Sequence, residues 1–244
     1  MNLDKLSYLQ NNFTKPLDYP LAAKMQAAIE NFSQRLEIEF GSKIRIRREA
    51  EVKDWVKFLL LPEKDQSTAI SSLEAAIRFM DGALEQGVSL ADDKSLLTHA
   101  SRQLGFSLEN DLLDYLAPGD LVKILNKDFL QIYRNFNFFA YCNYSLLELS
   151  TYPWYELYER STTVTDQLIE MCGRLFKGES EALPLKQRME PYTVTELRTE
   201  EKNSFIIKEK LLARMRKWPS GDILILSVKQ IEELAPSPSK VLYI

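Results

Sequence analysis

LVKILNKDFLQIYRNFNFFAYCNYSLLELSTYPWYELYER, residues 121–160, is where the hydrophobic period of the chain changes. Leu121, Ile124 and Leu125, then Leu130 and Ile132, flank the turn-forming run Asn126-Lys127-Asp128. That pattern predicts two short strands joined by a tight connection. Short helical pieces follow. Ser145 with Glu148 three residues later makes a capping box. Pro153 presets the first turn of a helix PWYELYER. A longer helix is expected over about Thr163–Phe176, with Leu168, Met171, Cys172, Leu175 and Phe176 inward and Gly178 at its end. Three β-prone runs close the segment: YTVTELRT, FIIKEKLLARMRKW and DILILSV. They are joined by Glu200-Glu201-Lys202-Asn203 and by Pro219-Ser220-Gly221. Two strands, several helices and three strands suit an antiparallel sheet with helices on one face.

Upstream the period is mostly helical. Leu21, Met25, Ile29, Phe32 and Leu36 recur at steps of three and four behind Pro20. Leu36, Ile38 and Phe40, then Ile44 and Ile46, alternate around a Gly-containing loop, so a β-hairpin is expected there. In that register Glu39 faces Arg45 and Glu37 faces Arg47. The alternative is a helix that continues to Phe40, with only the second run extended. Further helices are expected around Val52, Trp55, Val56 and Leu59, then around Ile70, Leu73, Ile77, Met80 and Leu84, ending near Gly87. Another is expected from about Asp92 to Leu104, stopped by Gly105, and a short one at SLENDLLDYL. Pro118-Gly119 marks the expected boundary. Residues 1–117 read as a mostly helical domain, 118–235 as the strand-rich one, and 236–244 as a tail with Pro236 and Pro238. The fold class is therefore α+β.

Composition narrows the function. Of 244 residues, 45% are hydrophobic and 27% charged, which is enough to build a sizeable core. With 31 basic and 35 acidic side chains the net charge is −4, so the chain as a whole lacks the basic footprint that phosphate backbones require. Nucleic acid is not an expected partner. Cys142 and Cys172 are too few for a disulfide framework and lack CxxC spacing, which suits two free thiols in a reducing compartment. The N-terminus MNLDKLSYLQNNF has no signal-peptide pattern, and no run of about 20 apolar residues could span a bilayer. A cytoplasmic location without membrane contact is the expectation.

The ordered set of motifs in residues 119–232 resembles PAS domains. The strand–turn–strand ends in an aromatic-x-Asn, here Tyr133-Arg134-Asn135. A segment similar to GYS-x-x-E-L follows at Asn143–Leu149, with Asn143 where the family has Gly, and a segment similar to PW-x-x-L at Pro153–Leu157. WPSGDILILSV stands in the place of the last hairpin. The resemblance implies a five-stranded antiparallel sheet and an interior that either holds a small ligand or is packed. It also implies a free sheet face that takes another helix or a second copy. In this chain SLENDLLDYL is placed to cover that face. The function implied is signalling or regulation without catalysis, through a small apolar or aromatic ligand, another signalling protein or a homodimer. The rival reading is a small-molecule-binding enzyme or carrier with its pocket in the α+β half.

Catalytic chemistry is thinly provided. His99 is the single histidine, so multi-His metal sites are excluded. A Ser-His-Asp triad would have to recruit it from the helical half. It reads as an ordinary surface or capped histidine. No histidine follows residue 118, which argues against haem, and neither Cys142 nor Cys172 sits in the reactive motif of flavin-binding PAS relatives. No cofactor is expected. Glu156 with Glu159, and Glu200 with Glu201, read as solvated carboxylates, and no Gly-rich phosphate loop is present. Arg214, Arg216 and Lys217 read as a wet sheet face. The aromatic-rich span Phe136–Tyr158 stands out. It supplies either core packing or the lining of a ligand pocket. The candidate lining is Ile132, Phe138, Phe139, Tyr144, Trp154, Tyr158 and Met171. Trp154, on one face with Leu157 and Tyr158, is also expected to be a buried anchor of this half.

Overall fold

The computed structural model describes residues 13, 15–41, 50–108, 110–127, 131–185, 189–198 and 203–235. It combines helices with an antiparallel sheet and falls into two compact units interleaved along the chain. The first is Met1–Gly87 with Phe139–Trp154, and the second is Val88–Phe138 with Tyr155–Ile244. The boundary read at Pro118-Gly119 lies inside the second unit.

The first unit is helical among its described residues. Helix α1 (Pro20–Phe40) has Pro20 at its first position and buries Met25, Ile29, Phe32, Leu36 and Phe40. The expected hairpin is corrected here, because the helix runs through Leu36–Phe40 and ends at Gly41 with φ +55°. A strand and a helix both bury Leu36 and Phe40, so the deciding residue is Ile38, which is 73% exposed. The four-residue step from Leu36 to Phe40 simply continues the helical stripe. Ile44 and Ile46 lie outside the described residues. Helix α2 (Val52–Leu60) opens with a capping box between Glu51 and Asp54. Helix α3 (Glu63–Glu85) buries Ile70, Leu73, Ile77 and Met80. It packs on α1, where Arg35 grips Asp81 through two bonds of 2.5 and 2.9 Å. The third member is α5 (Leu146–Thr151), which packs on α1 and α2. Just past its end, Tyr152 donates to Asp54 Oδ1 at 3.1 Å, and Lys57 lies over the Tyr152 ring.

The second unit is built on the sheet. Helix α4 (Asp93–Leu104) starts at the Asp92 cap and ends at Gly105. A side chain there would meet the Trp218 carbonyl at 2.8 Å, and φ is +73°, so only glycine fits. The region SLENDLLDYL forms a 3-10 segment over Asn110–Tyr115. Seven strands follow among the described residues: β1 (Leu121–Leu125), β2 (Gln131–Arg134), β3 (Tyr158–Glu159), β4 (Ala182–Pro184), β5 (Tyr192–Glu196), β6 (Ser204–Arg216) and β7 (Ile223–Ala235). Their order is β2-β1-β7-β6-β5-β3, all pairs antiparallel, with β4 beside the second half of β6. Five strands were expected. The two extra ones are two- and three-residue edge pieces that carry no alternating sequence signal. Helix α6 (Thr162–Lys177) ends at Gly178 and packs on β6 and β7. Among the described residues, no helix is long and apolar enough to cross a membrane.

Consecutive residues Leu211, Leu212 and Ala213 of β6 are all buried, so both faces of this strand are covered. Helix α6 and the 3-10 segment each pack against β6. A buried amide network fastens the start of β1. Asn135 donates through Nδ2 to Asp93 Oδ1 and to the Asp120 carbonyl, both at 2.7 Å, and accepts from Val122 N–H at 3.0 Å. Asn137 Nδ2 donates to the other Asp93 oxygen and to the same carbonyl. Burial raises the Asp93 pKa above its ordinary value, against these hydrogen bonds, which lower it. The Asn of the aromatic-x-Asn motif therefore ties α4, the start of β1 and the end of β2 together. Asn135→Ala should lower unfolding stability by about 2–3 kcal/mol, since it strands several buried polar groups. Gln131→Ala on the exposed edge should stay within about 0.5 kcal/mol of wild type. Urea unfolding of both variants checks this.

Candidate functional site

The densest polar chemistry lies in the second unit, on the sheet face under α6. Strand register builds it. Glu209 on β6 pairs directly with Lys229 on β7, and Lys123 on β1 lies between Ser227 on β7 and Arg134 on β2. Tyr192 on β5 is paired with Ile207, two residues before Glu209, so it projects to the same face. Glu209 is 1% exposed. It forms an ion pair with Lys229, accepts the Tyr192 hydroxyl at 2.6 Å and accepts Ser227 Oγ at 3.4 Å. Lys229 also donates to the Tyr192 oxygen at 3.2 Å.

The electrostatics divide this cluster into a saturated part and an unbalanced part. Burial alone would raise the Glu209 carboxyl, but Lys229 and Lys123 outweigh it and hold the group below its ordinary 4.5. Burial opposes the charge on Lys229 as well, yet Glu209 and Tyr192 raise its pKa. Burial pushes the Tyr192 phenol up to about 12. Lys123 is the exception. Burial and then the like charge of Lys229 lower its pKa well below 10.5, with Arg134 and Arg160 adding to the effect and Glu209 opposing it. Among the described residues, Lys123 has no hydrogen-bond or ion-pair partner. Cys172 on α6 is buried above this group, and burial raises its thiol. Cys142 and Cys172 are both free and buried, where a thiol packs as a small apolar group.

A β-bulge links this face to the other. The register shifts between Glu209 and Leu211, which leaves Lys210 as the inserted residue. Lys210 forms a buried ion pair with Asp120 at 2.5 Å, two residues before Val122. Asp120 in turn accepts from the Ala117 amide and offers its carbonyl to Asn135 and Asn137. Adjacent residues of one central strand thus hold separate buried ion pairs, one for each side of the sheet.

The residues named as pocket lining divide between the two units. Phe138 and Tyr158 meet edge to face at 6.2 Å in the second unit, and the Arg134 guanidinium lies 4.0 Å from the Phe138 ring centre. Met171 is half-buried on α6. Ile132 falls at the bulge of β2 and is 39% exposed. Phe139, Tyr144 and Trp154 belong to the first unit. Phe139 packs on Phe32 there, and Tyr144 is buried. The anchor reading of Trp154 is corrected: the residue is 41% exposed, because PWYELYER forms one helical turn, Trp154–Leu157, and then enters β3. That switch takes Tyr158 off the helical face it was expected to share. His99 is buried at 2% exposure, not on the surface, and burial lowers its pKa. Arg214 is half-buried, bonded to Glu181 at 2.9 Å beside Gly178 at the end of α6, whereas Arg216 is exposed. Glu200 and Glu201 lie outside the described residues. A groove of about 660 Å³ in the first unit is lined by Gln26, Ile29, Glu30, Gln34, Glu37 and Trp55 among others, and by none of the expected lining residues.

Glu209, Lys229, Lys123 and Asp120 were not singled out from sequence. The signal was Lys208-Glu209-Lys210 set between the apolar runs Phe205-Ile206-Ile207 and Leu211-Leu212-Ala213. Side chains alternate, so three consecutive charges in a strand covered on both faces force buried charge that must find partners. Among the described residues, no group of three or more His, Cys, Asp or Glu is placed to hold a metal ion. No family model matches the chain, and no curated protein matches it.

Lys229→Met should be strongly destabilising, by about 3–5 kcal/mol, because it leaves Glu209 charged and buried. The double variant Glu209→Leu with Lys229→Met should recover most of that loss. The pH dependence has a definite sign. Glu209 has a depressed folded pKa, so its contribution is present above 4.5 and is lost as pH falls through the folded value. Lys229 has a raised one, so its contribution is present below 10.5 and is lost as pH rises through the folded value. Denaturant unfolding across pH should show a wild-type decline at the acid end that the double variant lacks in part.

Proposed function

We propose that this chain is a non-enzymatic sensor or regulatory protein in which the second unit acts as a PAS-like domain. A signal received between the sheet and α6 is passed through the sheet to the segment 88–120 on the opposite face, and from there to another protein or a second copy of the chain. The observation that carries this reading is the bulge at Glu209-Lys210, which puts the ion pair of the α6 face one residue from the ion pair that fastens Asp120. Coupling of two sites needs a physical element that both can bias, and this strand touches both. The antiparallel set β1, β2, β5, β6 and β7, with intervening helices after β2, supports the PAS resemblance. So does Asn135, which fixes the end of the strand pair.

The same cluster gives little support to acid–base catalysis. Proton transfer near neutral pH needs groups poised near 7. Tyr192 and Lys229 are moved away from that range, and Glu209 is fixed in its charged form. A second reading, an enzyme or carrier that holds a carbonyl compound, is favoured by one observation. Lys123 carries a depressed pKa among like charges, the condition that makes a lysine amine nucleophilic. Its amine would add to the carbonyl carbon and expel water to give an imine. Borohydride reduction in the presence of a simple aldehyde, followed by peptide mass analysis, would place an adduct on Lys123 in that case.

Hydrogen exchange tests the sensor reading. In Lys229→Met, amides of Asp120–Val122 and of the first turn of α4 should exchange faster than in wild type, although the substitution lies on the α6 face. Native mass spectrometry of the same samples reports any bound small molecule and the oligomeric state. Exchange that changes only in β5, β6, β7 and α6 would sink the proposal.

A further inference from the structure

We propose that the face under α6 carries a binding site for a small organic carboxylate with an apolar or aromatic body, centred on Lys123 and Arg134. The inference rests on the sensor reading and names the class of its ligand. Register sets the two cations directly opposite each other on β1 and β2, with Ser227 across from Lys123 on β7. The charges felt at Lys123 are those of Lys229, Arg134, Arg160 and Glu209, three positive and one negative. Glu209 is engaged by Lys229, Tyr192 and Ser227, so its one negative charge is shared between Lys229 and Lys123. Lys123 is half-buried with no hydrogen-bond or ion-pair partner among the described residues, its surroundings disfavour the ammonium form, and one added carboxylate would favour that form by pairing with it. Lys123 and Arg134 are each half-buried rather than sealed in the core.

The surroundings choose the body of the ligand. The Arg134 guanidinium lies 4.0 Å from the centre of the Phe138 ring, which meets Tyr158 edge to face, and α6 adds Cys172. An aromatic or branched apolar group would cover these side chains while its carboxylate met the two cations. One unpaired lysine suits one negative charge. Inorganic phosphate would bring more charge and no apolar surface, so it should bind more weakly.

The test uses the full chain with benzoate as probe, and benzamide and inorganic phosphate as controls at matched ionic strength. Melting temperature and isothermal titration are read together. Benzoate should raise the melting temperature by several degrees and bind with one-to-one stoichiometry, with at least a tenfold advantage over benzamide and phosphate. Lys123→Met should melt higher than wild type without ligand, since it removes an unpaired charge, and should lose the benzoate response. Arg134→Gln provides a second variant with a weakened response. Equal responses in wild type and Lys123→Met would overturn the site, as would benzamide or phosphate binding as well as benzoate. Hydrogen exchange with benzoate separates this result from the sensor reading. Binding without altered exchange at Asp120–Val122 supports the site and defeats transmission. Faster exchange there in Lys229→Met, with no benzoate binding, defeats the site and leaves transmission intact.

Discussion

Two buried ion pairs on consecutive residues of β6 are the constraint around which the second unit is arranged. A carboxylate or ammonium inside a protein costs several kcal/mol unless it is paired and hydrogen-bonded. Glu209 meets that condition only if β5 supplies Tyr192 and β7 supplies Lys229 in the observed register. Lys210 meets it only if the chain entering β1 puts Asp120 within 2.5 Å. A one-residue slip of β7 along β6 would turn Lys229 to the wrong face and leave Glu209 alone. The pairs therefore specify the alignment of β5, β6, β7 and β1, while the apolar alternation of those strands provides most of the burial.

The bulge is what makes both pairs available at once. In a regular strand the inserted residue would not exist, and the pairing of Leu211 with Val228 would shift by one. With it, the charge on the α6 face and the charge on the opposite face share one local backbone geometry. From Asp120 the connection continues through one carbonyl to Asn135 and Asn137, and through their amides to Asp93 at the start of α4. In a low-dielectric interior such hydrogen bonds strengthen one another, and a partly satisfied arrangement is costly.

Much of this was legible in the sequence where a single local rule decides. The Asp92 cap, the Ser145–Glu148 box and the glycines closing α4 and α6 appear where the residue types require them. The strands β5, β6 and β7 form on the three runs read as β-prone, with β7 continuing to Ala235. Rules failed where two periods fitted the same residues. Leu36 and Phe40 serve a strand and a helix equally, and only the surroundings of Ile38 separate the two. The site was less legible. Aromatic density pointed to Phe136–Tyr158, yet that span divides between the two units, with Phe139, Tyr144 and Trp154 in the first and Phe138 and Tyr158 in the second. The charged face depends on partners 20 to 90 positions apart in sequence, such as Glu209 with Lys229 and Lys210 with Asp120. Sequence spacing cannot reveal such pairs, although three successive charges in a buried strand announce that they must exist.

The proposed signalling role requires the two faces of the sheet to be energetically coupled through the bulge at Glu209-Lys210. A double-mutant cycle on unfolding free energy, with Lys229→Met on one face and Asp120→Asn on the other, measures that coupling directly. Coupling through the bulge should give an interaction term of about 1 kcal/mol or more, within the roughly 0.5–3 kcal/mol range of residues in one network. Additivity within about 0.3 kcal/mol would mean that the two ion pairs are independent, and would contradict it.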